Sequence, residues 1–150
     1  MLMRSHMGLL PFEIEMPNFS QHKHNSDQWH SQPFYTHPQG YKMYLRVDAN
    51  GDDHGKGTHV SAFLYLRRGE FDDCLKWPFR GSITIELVDQ ERQEIHTKII
   101  SYISASDICA GRVIARESNG WGFTKFIKHT KLVHKYVNND CLRFRVSYSN

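Results

Sequence analysis

GYKMYLRVDANGDDHGKGTHVSAFLYLRRGEFDDCLKWPFRG, residues 40–81, decides the fold. Tyr41, Met43, Leu45 and Val47 alternate with Lys42, Tyr44, Arg46 and Asp48, the period of two that a strand with one buried face imposes. Val60, Ala62, Leu64 and Leu66 alternate in the same way with His59, Ser61, Phe63 and Tyr65. Between the runs, Asn50-Gly51 tolerates positive φ, and Gly55 and Gly57 let the chain turn back, so the two runs pair as antiparallel strands. With Val47 and Leu64 inward, Arg46, Asp48, Phe63 and Tyr65 share the outer face. A phenyl ring beside an arginine and a carboxylate marks that face as a candidate binding surface. The plainer reading is a wet exterior carrying single apolar residues.

Outward from this pair, the same period recurs. Phe12, Ile14 and Met16 alternate with Glu13 and Glu15, a strand stopped by Pro17. Residues 18–32 are polar and aperiodic, which predicts a long loop or an irregular edge. Residues 33–36 (PFYT) suit a short strand. Trp77-Pro78-Phe79 follows an acidic turn, with the proline at a strand start or edge. Ile83, Ile85 and Leu87 form an inner strand, residues 95–103 another, and residues 104–119 read as loop. Gly120-Trp121-Gly122-Phe123 opens a short strand; Phe126, Ile127, His129, Leu132 and Val133 suit one or two helical turns. Asn138-Asn139-Asp140 is a turn before a last strand over residues 142–148. Seven to eight strands with little helix and no βαβ rhythm predict an all-β, antiparallel sandwich.

Composition bounds the function. A chain of 150 residues makes one domain and buries roughly two-thirds of its unfolded surface. Residues 1–8, with the vector-like Ser5-His6-Met7, are set apart from a domain over 9–150. A net charge of +3, with basic residues scattered among Asp48, Asp52, Asp53, Glu70, Asp72 and Asp73, lacks the stripe that nucleic acid requires. No run reaches the ~18 apolar residues of a membrane span. With no secretory signal either, the cytosol is the expected address. Cys74, Cys109 and Cys141 are odd in number and show no C-x-x-C, which argues against a disulfide framework or zinc. The ten histidines are scattered. Asp48-x-Asn50-x-Asp52 begins like a calcium loop but has Asp53 where glycine is needed and His59 where glutamate is. No nucleophile elbow, zincin helix or phosphate loop occurs, so neither catalysis nor a cofactor is expected.

A series of motifs runs in order along the chain: Asn18-Phe19-Ser20, Phe34-Tyr35-Thr36, Gly40-Tyr41-Lys42-Met43, Leu45-Arg46, Asn50-Gly51-Asp52, Gly55-Lys56-Gly57-Thr58-His59, Gly69-Glu70-Phe71-Asp72, Leu75-Lys76-Trp77-Pro78-Phe79 and Leu87-Val88-Asp89-Gln90. Together they resemble the C-terminal domain of the tumour-necrosis-factor-receptor-associated factors (TRAF), a branch of the MATH superfamily, over about residues 12–148. Trp121-Gly122-Phe123-x-Lys125-Phe126-Ile127 resembles the wider MATH pattern, which includes substrate-recognition modules of cullin-type ubiquitin ligases.

The resemblance implies an eight-stranded sandwich that binds short extended peptides of receptor tails or adaptors by strand addition. It implies a trimer only in a longer protein with a coiled coil, the isolated domain being monomeric or weakly associated. Carried over residue by residue, Arg46 and Asp52 match polar groove positions, Phe63 an aromatic against the peptide, and Gly120, Trp121, Gly122 and Phe123 the segment that pairs with it. Trp121 and Phe123 are expected to frame an anchor residue, with core packing as the competing reading. Arg46, from a neighbouring strand, is expected to meet an acidic or polar peptide side chain. Asp48 stands where one TRAF group has tyrosine, and Ser106-Asp107-Ile108 where it has a run of serines. These departures set the groove apart from that group, which favours P-x-Q-x-[ST]-like peptides.

Overall fold

Among the described residues nine strands arise where the sequence alternates and where short pieces find a long strand to pair with. The computed structural model describes residues 11–89, 91, 94–114, 118–132 and 135–150. The vector-like residues 1–8 and Val133 of the expected helical turns lie outside these. The strands are β1 (Phe12–Met16), β2 (Gln28–His30), β3 (Phe34–Tyr35), β4 (Lys42–Asp48), β5 (His59–Arg67), β6 (Ser82–Asp89), β7 (Glu94–Ser101), β8 (Trp121–Lys128) and β9 (Leu142–Ser149). Among the described residues three α-helices interrupt them, α1 (Phe19–Asn25), α2 (Asp107–Ala110) and α3 (His129–Leu132), besides two short 3-10 turns. One antiparallel sheet runs β1-β9-β6-β7; the other runs β2-β4-β5-β8, with β3 also on β4. The sandwich expected from the sequence is therefore present, with one strand more than eight.

The extra strand and α1 both fall in residues 18–32, read as a long loop or an irregular edge; β2 is a short edge strand and α1 a helix. α1 has one buried residue, Phe19, so its sequence carries no apolar stripe. Its first turn is held from far along the chain: the Asp140 carboxylate accepts from Ser20 N at 2.9 Å and from Ser20 Oγ at 2.6 Å. β2 exists because Trp29 and His30 pair with Val47 and Arg46. Phe126 and Ile127, assigned to helical turns, instead close β8, and helix begins only at His129.

The core lies between the sheets. Met43, Leu45, Val47, Val60, Ala62, Leu64 and Leu66 face Ile83, Ile85, Leu87, Leu142, Phe144 and Val146, all buried. Each large side chain there contributes about 1.5–3 kcal/mol relative to exposure. Tyr41 anchors one end: its hydroxyl donates to Lys76 O at 2.5 Å, and its ring meets Trp77 and Phe79 at centroid distances of 5.0 and 4.6 Å. The Trp-Pro-Phe motif is thus framework.

At the other side of the sandwich, side chains rather than backbone join β7 to β8. His96 Nε2 bonds Phe126 O at 2.8 Å, and Lys131 Nζ lies 3.4 Å from its Nδ1. The imidazole serves both partners only when neutral, donating at Nε2 and accepting at Nδ1. Burial holds its pKa below the ordinary 6.5, and Lys131 and Lys98 lower it further against the opposing pull of the Phe126 carbonyl. The unfolded chain therefore takes the proton first. This contribution is complete above the ordinary pKa and is lost as pH falls through the lower folded value. Between about pH 7.5 and about pH 5, urea midpoints should drop, with His96 contributing at most about 1.4 kcal/mol per pH unit. His96→Gln should flatten that dependence; equal slopes in the two proteins would remove His96 from the account.

Candidate functional site

The outer face of the second sheet is assembled in cross-strand rows. Tyr44 faces Tyr65, Arg46 faces Phe63, Asp48 faces Ser61, and Phe63 in turn faces Gly122 on β8. Directly opposed residues in an antiparallel pair point to the same side, so these groups form one surface. Tyr44 and Tyr65 stack at 5.0 Å with planes 6° apart, and the Arg46 guanidinium lies 5.1 Å from the Phe63 centroid.

Arg46 is the hub. Its Nε and Nη2 donate to the two Asp48 carboxylate oxygens at 2.9 and 2.7 Å, and its Nη1 donates to Tyr65 Oη at 2.8 Å. The Asp48 hydrogen bonds are the chief cause that raises the Arg46 pKa above its ordinary value, overcoming the opposing effect of burial. Both members of the pair are sheltered, with side-chain exposures of 14% for Arg46 and 8% for Asp48. Asp52 is different: it is 48% exposed, and its Oδ2 lies 3.5 Å from Arg46 Nη2. The donors expected to meet an acidic peptide residue are therefore largely committed within the protein.

Ser61 fixes the loop that carries Asp52. Its hydroxyl accepts from Asp52 N at 2.8 Å and donates to Thr124 O on β8 at 2.7 Å. Gly51 and Gly57 adopt positive φ of 81° and 82° in this loop, as the Asn50-Gly51 reading expected.

Glycines 120 and 122 are required by packing. A Cβ on Gly120 would meet the Tyr65 ring at 2.7 Å; one on Gly122 would meet Ala62 O at 2.3 Å and Phe63 Cα at 2.9 Å. Gly120, Tyr65, Arg46, Asp48, Asp52, Phe63 and Gly122 are thus continuous. α2 adjoins this end, since Asn119 N donates to Ile108 O at 3.0 Å.

Trp121 and Phe123 are not on that surface. They face Leu64 and Ala62, which turns them toward the opposite sheet. Trp121 Nε1 donates to Ser101 O on β7 at 2.8 Å, and Lys98 Nζ lies 5.5 Å from the Phe123 centroid. The core-packing reading describes them better than a wall beside Arg46 does. Arg46 is also not on the strand next to β8, because β5 lies between. Tyr65, which the alternation already places on this face, is the group to which sequence reasoning gave no role. Its period-two position was visible, but its bond to Arg46 and its packing on Gly120 depend on register.

Among the described residues no group of three or more His, Cys, Asp or Glu is placed to hold a metal ion, and no helix is long and apolar enough to cross a membrane. A cleft of about 370 Å³ opens between β1 and β2, lined by Phe12, Glu13, Trp29 and Gln32 among others. It lies at the far edge from β8 and shares no residue with the surface above.

The family description "TRAF/meprin, MATH domain" matches residues 26–145. TNF receptor-associated factor 5 of Mus musculus is 35% identical over 120 residues, covering 78% of this chain and 22% of that protein. TNF receptor-associated factor 6 of Danio rerio is 28% identical over 149 residues, covering 95% of this chain and 27% of that protein. The chain therefore spans about a quarter of the length of these relatives. The solved structure of Notothenia coriiceps TRAF5 is similar with a TM-score of 0.81 at 28% identity, over 93% of this chain and 73% of that one.

Proposed function

Because the chain belongs to the TRAF/meprin MATH-domain family, we propose that it is a cytoplasmic peptide-binding adaptor module, taking short extended segments of receptor tails or signalling adaptors by strand addition along β8. The observation that carries this is the junction of an outermost strand with a polar–aromatic face: β8 ends its sheet, and Gly122 leads directly to Phe63 and Arg46. Main-chain hydrogen bonds to the 120–123 edge supply affinity that any extended peptide shares, and the face supplies selection. The named relatives favour this reading over substrate recruitment to a cullin-type ligase. In a longer, trimeric protein, avidity would add a factor of ~10²–10⁴ without a new contact.

The test is a peptide array of receptor-tail and adaptor motifs against the purified domain. For a binder, N-methylation of the pairing amide should cost about 1–3 kcal/mol of affinity with every side chain kept. Phe63→Ala should weaken binding by about 1–3 kcal/mol while shifting the melting temperature little, because the ring is half-buried on the outer face. If N-methylation is silent, strand addition is the wrong mechanism; if Phe63→Ala instead costs ~3–5 kcal/mol of stability, the ring is core.

A further inference from the structure

We infer that this groove selects peptides presenting a cationic side chain, lysine or arginine, toward Phe63 and Asp52, and discriminates against an acidic one; the inference rests on the peptide-binding reading of β8. Around Phe63 and Asp52 the surface offers Arg46 against two carboxylates, whereas Arg67 lies over the Tyr44 ring at 5.6 Å, toward the Lys42 end of the face. Arg46 directs Nε and Nη2 to Asp48 and Nη1 to Tyr65, and its face covers Phe63. To take an acidic peptide group with full geometry, Arg46 would have to loosen its hold on Asp48, leaving a sheltered carboxylate without its cation.

Asp52 is in the opposite position. It is half-exposed, its Oδ2 lies 3.5 Å from the guanidinium, beyond ordinary hydrogen-bond length, and its backbone is pinned by Ser61. It is the carboxylate with capacity for an incoming donor. The path from the β8 edge past Phe63 to β4 crosses two strand spacings, about 10 Å, so it suits a long side chain whose stem lies along the rings while its head reaches a carboxylate. The cations of β8, Lys125 and Lys128, lie past the bulge and beside His59.

The decisive experiment uses immobilised extended peptides with one position fixed as Lys, Arg, Gln or Glu and randomised flanks, probed with the whole domain, with Phe63→Ala and with Asp52 variants. At the position whose signal depends on Phe63, the Lys and Arg pools should retain roughly tenfold more protein than the Glu pool, the scale of one hydrogen bond to a charged group. Added salt should shrink that ratio. Asp52→Asn should bring the Lys-to-Gln ratio toward one, and Asp52→Glu, which keeps the charge, should preserve it. A Glu pool retained as well as Lys at that position overturns the inference and leaves strand addition standing. So does a Lys preference indifferent to Asp52→Asn. If no pool binds in a Phe63-dependent way, the peptide-binding reading fails and the inference falls with it.

Discussion

Asp48→Ala lowers the unfolding free energy by about 3–5 kcal/mol, because it leaves the sheltered Arg46 guanidinium without its bidentate partner. For a domain of this size, that is a drop in melting temperature of roughly 6–20 °C. The loss comes from stranding a charge rather than from the worth of the pair. Replacing both members by apolar residues of similar volume, Arg46→Met with Asp48→Leu, should therefore recover most of the stability. Guanidinium unfolding of the two single variants and the double variant closes the cycle. If Asp48→Ala costs less than about 1 kcal/mol, the pair behaves as an ordinary surface salt bridge and solvent screens it.

Gly122→Ala is expected to be next in size. The new methyl carbon would fall 2.3 Å from Ala62 O and 2.9 Å from Phe63 Cα, and both are main-chain atoms of β5 that cannot swing away. Either β8 moves outward or its ladder breaks, at a cost of about 1–3 kcal/mol or more. Gly57 is the informative comparison. Nothing lies within 4 Å of its added Cβ, but its φ is +82°, so Gly57→Ala meets only the backbone penalty of the left-handed region, about 1–2 kcal/mol. Hydrogen exchange separates the two. Gly122→Ala should deprotect amides of β8 and its β5 partner, whereas Gly57→Ala should loosen the 49–58 loop. Uniform weakening in both variants would contradict a local clash at Gly122.

The sequence was most legible where packing and pattern coincide. The inward sets of β4, β5, β6 and β9 alternate cleanly because each strand turns one apolar face to the core and a more polar face outward. The placement of Arg46 and Phe63 on the outer face follows from the same alternation. What alternation does not carry is information held across the chain. α1 depends on Asp140, and β2 depends on Val47 and Arg46 as partners. Ser61 lies on the outer face yet is fully buried, because β8 and the Asp52 loop close over it. The orientation of Trp121 and Phe123 needed the β5–β8 register, which shifts between Val60 and Ala62. A one-residue difference there reverses which face each ring occupies.

That register shift also bears on self-association along the sheet edge. An outermost strand with an unbroken ladder is a template on which identical chains can stack without limit. β8 is interrupted at the shift, and the half beyond it carries Lys125 and Lys128. Before the shift β8 pairs with β5 over the three residues from Trp121 to Phe123, roughly 10 Å of strand. The same irregularity thus guards the edge against fibrillar self-association.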